Sequence, residues 1–118
     1  MKRVVAWLAL SALIASCASG PPVPDWESNA KTSMDHAVAA YLTGDTRLAD
    51  SDFERARSEF ARTGRIDLLG RAELVRCAAR VASLVFEPCE GFEKLRTDSA
   101  AAERAYADYL AARVQAQD

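Results

Sequence analysis

From residue 25 onward, apolar residues return every three to four positions, and nowhere with the period of two that marks a strand. In the first such stretch Trp26, Ala30, Met34, Ala37, Val38 and Tyr41 share one face. That spacing predicts an amphipathic helix to about Leu42, with Asp25 as its expected N-cap. His36 falls on the opposite face with Asn29 and Thr32, a place for an exposed histidine. Thr43-Gly44-Asp45-Thr46 reads as a turn. A second helix turns Ala49, Phe53, Ala56 and Phe60 inward and ends before Gly64, which stands where a left-handed C-terminal residue belongs. Two starts are open to it: Asp45 as cap, or Ser51 with Glu54 as a capping box. Arg55, Arg57, Glu59 and Arg62 make its solvated outer face.

The third periodic stretch, about Asp67 to Glu87, is apolar on two sides. Ile66, Leu74, Cys77, Val81 and Leu84 mark one side, and Leu68, Val75, Ala79 and Phe86 the other. Arg76, Arg80 and Ser83 fill the strip between them. Such a helix is expected at the centre of the fold, covered by more than one neighbour, with Pro88 stopping it. Glu87-Pro88-Cys89-Glu90-Gly91 then reads as a turn that sends the chain back, and Phe92 to Leu95 as one short helical turn. Thr97 or Asp98 caps a last helix in which Ala102, Tyr106, Tyr109, Leu110 and Val114 share a face. The expected fold class is all-α, a small bundle of about four helices over residues 25–118.

The start of the chain follows another pattern. Met1-Lys2-Arg3 is cationic, and Val4 to Ala15 carries no charge and only Ser11 as a polar side chain. The run is shorter than the roughly 20 residues a membrane-spanning helix needs, and it suits the apolar part of a secretory signal peptide. Ile14, Ala15 and Ser16 then precede Cys17: an aliphatic residue and two small ones before a cysteine. This resembles the lipobox of bacterial lipoproteins. The resemblance implies that residues 1–16 are a cleaved signal peptide. It also implies that Cys17 becomes the mature N-terminus, its sulfur carrying a diacylglyceryl group with acyl chains such as palmitate. The alternative is an ordinary secretory signal cleaved near Ala18. Ala18 and Ser19 follow, with no Asp directly after the cysteine, which in such lipoproteins implies the outer membrane, facing the periplasm. Residues 17–24, with Gly20, Pro21, Pro22 and Pro24, form a tether stiffened towards polyproline II. At roughly 3.1 Å per residue it holds the domain about 20 Å from the lipid.

Composition narrows the chemistry. Without its leader the chain keeps about 100 residues, enough for one domain. A formal net charge of −2 gives no electrostatic reason to expect nucleic acid, whose binding neutralises phosphates with a basic surface. Cys77 and Cys89 are two thiols for an oxidising compartment, where such thiols usually pair. The bond requires the third helix to end early enough for Cys89 to fold back about two turns. Two cysteines and the lone His36 do not make a zinc set. There is no Gly-rich phosphate loop, no nucleophile elbow, and no His placed beside a Ser or Cys in a known motif. Asp50-Ser51-Asp52 reads as a helix start. No catalytic residue, metal or cofactor is expected.

Two further resemblances bear on function. Gly44-Asp45, Ala49, Phe53 and Ala56 resemble the second half of a tetratricopeptide repeat, with Gly in the turn, small residues where helices approach, and an aromatic between them. Ser33 stands where that repeat usually has a large apolar residue, and Gly64 to Val85 supplies no second copy. The whole plan is similar to that of some secretin pilotins, small outer-membrane lipoproteins that escort channel subunits; that likeness is architectural and rests on no motif. The expected function is a protein-binding adaptor or assembly factor, held to the outer membrane through lipid on Cys17, with an envelope protein as partner. The Arg76/Arg80 strip and the outer face of the second helix are its candidate binding surfaces. The alternative is a structural or stress-related envelope lipoprotein with no dedicated partner. A third alternative, less favoured, is a cell-wall enzyme or enzyme inhibitor; a deep cleft with converging carboxylates would favour the enzyme.

Overall fold

In the computed structural model the described residues are 20–112, and among them there is no strand. Helix α1 spans Asp25–Leu42, α2 Thr46–Arg62, α3 Ile66–Ala82, α4 Glu90–Glu93 and α5 Ala101–Leu110, with a 3-10 turn at Arg96–Asp98 between the last two. Among the described residues the fold is all-α, with four helices of substantial length, α1, α2, α3 and α5. Cys17, the lipobox-like residues before it and Val114 lie outside the described residues.

Short turns make α1, α2 and α3 run up, down and up. Pro24, not Asp25, holds the cap position of α1, at φ −58° and ψ 146° and with no side-chain cap. The fixed φ of proline supplies the extended entry, and Asp25 becomes the first helical residue, where its charge suits the helix N-terminus. The α1–α2 turn places Gly44 at φ 89°, a conformation that costs an L side chain. Asp45 then starts α2: its Oδ1 accepts a hydrogen bond from Leu48 N at 3.0 Å, and Ser51 lies well inside the helix. Alanines line the approach of the two helices, Ala30, Ala37 and Ala40 on one and Ala49 and Ala56 on the other, all buried. Met34, Ala37, Phe53, Ala56 and Ala72 form the first core cluster, with Phe60 packed against it. Trp26 meets Phe60 edge-on, ring centroids 6.5 Å apart.

α3 sits between two cores, as a helix with two apolar sides should. It gives Ala72 to the first cluster and Leu74 and Cys77 to the second, where Cys89, Phe92 and Ala107 join them. Its second apolar side and its ends depart from the sequence pattern. Ile66, Val75, Leu84 and Phe86 are exposed. The helix stops at Ala82, short of the expected Glu87, because Leu84 turns left-handed at φ 62°. Val85 N donates to Arg80 O at 2.9 Å and Leu84 N to Val81 O at 2.9 Å, closing the helix before Pro88 is reached. That early stop is what lets Cys89 return to the level of Cys77.

The chain then descends along α3 through α4, which turns Phe92 into the second core. This short helix begins at Glu90, slightly earlier than the expected turn over Phe92 to Leu95. Thr97 and Asp98 do not cap the last helix: they lie within the 3-10 turn, and Ala100 takes the cap position with no side-chain bond. The inward face of α5 is rotated from the one expected. Glu103 and Ala107 are buried, while Ala102, Tyr106 and Tyr109 are exposed, the two tyrosine rings stacked at 6.2 Å. On the inward face Ala107 packs in the second core with Leu110 against it, and Arg71 on α3 donates to Glu103 Oε1 at 2.8 Å. No helix among the described residues is long and apolar enough to cross a membrane.

Candidate functional site

The structure brings Cys77 and Cys89 together, their Cα atoms 5.6 Å apart and their sulfurs at disulfide distance. Between them the chain leaves α3, turns at Leu84, and projects a loop. Leu84 is 78% exposed and Phe86 75%, while Val85 between them is half-buried. Three restraints fix the loop: the backbone bonds to Arg80 and Val81, the cysteine pair, and an ion pair of Arg80 Nη1 with Glu87 Oε2 at 3.2 Å across its base. The result is a short loop, restrained at both ends, that presents two exposed apolar side chains as a knob.

Beside the knob lies an open groove of about 680 Å³, bounded by α2, α3 and the segment after Pro88. Glu54, Arg57, Glu73, Arg80, Glu90 and Lys94 line it, with the cysteine pair. Glu73 is 8% exposed and accepts from Arg57 Nε at 3.2 Å. Its carboxylate rests against Gly91, in space that any side chain at that position would occupy. Gly91→Ala should therefore displace Glu73 from Arg57 and leave a charge partly buried without its partner. The expected loss is about 1–3 kcal/mol of unfolding free energy, read from urea denaturation. Glu73→Ala in the same chain should recover part of it, because the clash is with that side chain.

The two surfaces that the sequence offers for binding are both occupied from within. Arg76 donates to Asp50 Oδ1 at 2.7 Å, and its guanidinium lies 4.5 Å over the Phe53 ring. Arg80 holds Glu87. On the outer face of α2, Arg55 pairs with Asp52 at 2.8 Å, Arg57 with Glu73, and Arg62 with Glu59. In each pair an exposed arginine reaches a more buried carboxylate, which leaves these arginines committed. Asp50-Ser51-Asp52 divides: Asp50 is exposed and faces α3, whereas Asp52 is buried. His36 is exposed on α1. Among the described residues no group of three His, Cys, Asp or Glu could hold a metal ion. Arg71 holds the Glu103 carboxyl below the ordinary carboxylate range by its hydrogen bond, and Arg65 does the same to Asp67.

Sequence patterning misses the buried acids Asp52, Glu73 and Glu103. The partner arginines of Glu73 and Glu103 lie 16 and 32 residues away along the chain, with no local signal to join them. It misses the knob as well, since Leu84, Val85 and Phe86 continue the apolar run of α3. The one available signal was the cysteine pair, which demands a chain reversal between Cys77 and Cys89. Compared with known protein families, with characterised proteins and with solved structures, the chain matches none.

Proposed function

We propose that the protein is a lipid-anchored binding module of the bacterial envelope, an adaptor or assembly factor that faces the periplasm from the outer membrane. The anchor rests on Ile14-Ala15-Ser16-Cys17, the residues that resemble a lipobox. The binding role rests on one observation, the exposed apolar side chains of Leu84 and Phe86 on a loop restrained at both ends. Exposed apolar side chains of this size are what the centre of a protein interface uses, and an element restrained at both ends loses little entropy when it docks. A tether of residues 17–24 adds to this by keeping the module at high effective concentration near other membrane-held proteins.

Chemical cross-linking in intact cells tests the reading, with the full chain tagged at its C-terminus and a Cys17→Ala chain beside it. One dominant envelope protein, recovered with the wild type and lost with Cys17→Ala, is the expected result. A scatter of abundant neighbours, equal in both, would contradict it and favour a structural envelope protein with no dedicated partner.

A further inference from the structure

α4, the 3-10 turn and α5 pack on α3, whereas α1 and α2 pack on each other and on the other side of α3. The chain after Ser83 is a flap hung on one helix. Much of its bonding is internal. Arg96 holds Glu93 and Asp108, Arg104 Nη1 donates to Ser99 O, and Ser99 Oγ donates to Leu95 O at 2.8 Å. Glu87 and Glu103 reach back from the flap, and both end on α3, at Arg80 and Arg71. The apolar seam is small: Leu74 and Cys77 on α3 meet Cys89, Phe92 and Ala107. The cysteine pair is two of those five residues. The seam is also closely fitted, since a Cβ on Gly70 would stand 3.2 Å from Ser99 Oγ, and Gly91 lies against the Glu73 carboxylate. A segment joined to the rest through one such seam can open as a unit, short of global unfolding.

We infer that the Cys77–Cys89 bond is a redox latch: formed, it pins the flap to α3, and its reduction releases residues 83–112 from a three-helix unit that stays folded. This does not rest on the adaptor reading. With the bond intact, an opened flap stays looped back at Cys89 and gains little freedom; with the bond cut, the chain from Ser83 onward is free. Both cysteines line the open groove of about 680 Å³, which gives a dithiol its approach. One thiolate of the dithiol attacks a sulfur of the bond, the S–S bond breaks, and a mixed disulfide forms. The donor's second thiol then displaces the attached cysteine. Two electrons pass to the protein, Cys77 and Cys89 take up the donor's two protons and end as thiols, and the donor ends as a disulfide. Opening uncovers Leu74 and Cys77 on α3 and Phe92 on the flap, so the two redox forms differ in the apolar surface they present.

Hydrogen exchange read by mass spectrometry tests the latch on the purified full chain, with and without dithiothreitol. In reductant the amides of α5 should exchange about thirtyfold faster or more, the smaller effect expected of a disulfide. They should also exchange roughly tenfold or more faster than the amides of α1 and α2 in the same buffer, as a separate unit does. Reoxidation with oxidised glutathione should restore the slow exchange. The paired variant Cys77→Ala, Cys89→Ala should behave as the reduced chain in either buffer. Exchange in α5 that ignores dithiothreitol would overturn the latch. Equal exchange of α1, α2 and α5 in reductant would overturn it too, because the domain would then open as one unit. A paired variant that still responds to reductant, or a wild type that does not recover on reoxidation, would count against it equally. None of these outcomes touches the adaptor reading, which cross-linking decides.

Discussion

Phe92→Ala should lower the unfolding free energy by about 3–5 kcal/mol, the range for removing a large aromatic from a packed core. Phe92 has 0% of its surface exposed, and among the described residues no larger side chain is as fully enclosed. It joins Leu74, Cys77, Cys89 and Ala107 in the second core, and faces the bare side of Gly70, where the nearest ring atom is 3.7 Å from the site of a missing Cβ. The Arg96 guanidinium lies 5.6 Å over the ring, held in turn by Glu93 and Asp108. A cavity at position 92 thus loosens the packing of α4 and α5 on α3 together. For a domain of about 100 residues, whose total stability is on the order of 5–15 kcal/mol, this is a large share. Urea denaturation followed by circular dichroism measures it. Phe86→Ala removes the same side chain from the exposed loop and should change stability by no more than about 0.5 kcal/mol. Equal losses at the two positions would contradict the placement of the second core.

The paired change Cys77→Ala, Cys89→Ala should lower stability by about 2–4 kcal/mol, chiefly by freeing the unfolded chain. The cysteines are 12 positions apart, and the loop they enclose includes the knob. Both belong to the core that Phe92 fills, so the two losses should not add: the triple variant should fall short of their sum. The check uses reductant. The urea midpoint of the wild type should drop in reducing buffer to near that of the paired variant, which itself should not respond. A wild-type midpoint indifferent to reductant would mean that the two thiols do not pair in solution.

The sequence makes the first half of the fold legible because its punctuation is local. Gly44 and Asp45 mark a turn and a cap within a few residues, and the apolar period of α1 and α2 falls on the faces that are buried. The second half depends on contacts that no window contains. α3 ends at a left-handed Leu84, where the usual glycine signal is missing, so the apolar run to Phe86 reads as more helix. In α5 the tyrosines look like the buried side, yet Ala107 packs in the second core and Glu103 pairs with Arg71, far back in the chain, which leaves the rings outside. The candidate site shares this split. The pairing of Cys77 with Cys89 follows from compartment and count, whereas the knob between them appears only once the helix is seen to stop.

Tether, compartment and class of partner all follow from the proposed anchor at Cys17. Mass spectrometry of the mature protein, purified from membranes in detergent, tests this directly. The predicted N-terminal peptide begins at Cys17 and carries three acyl chains. A peptide beginning at or near Ala18, without lipid, would contradict the anchor and leave a freely diffusing secreted helical domain in its place.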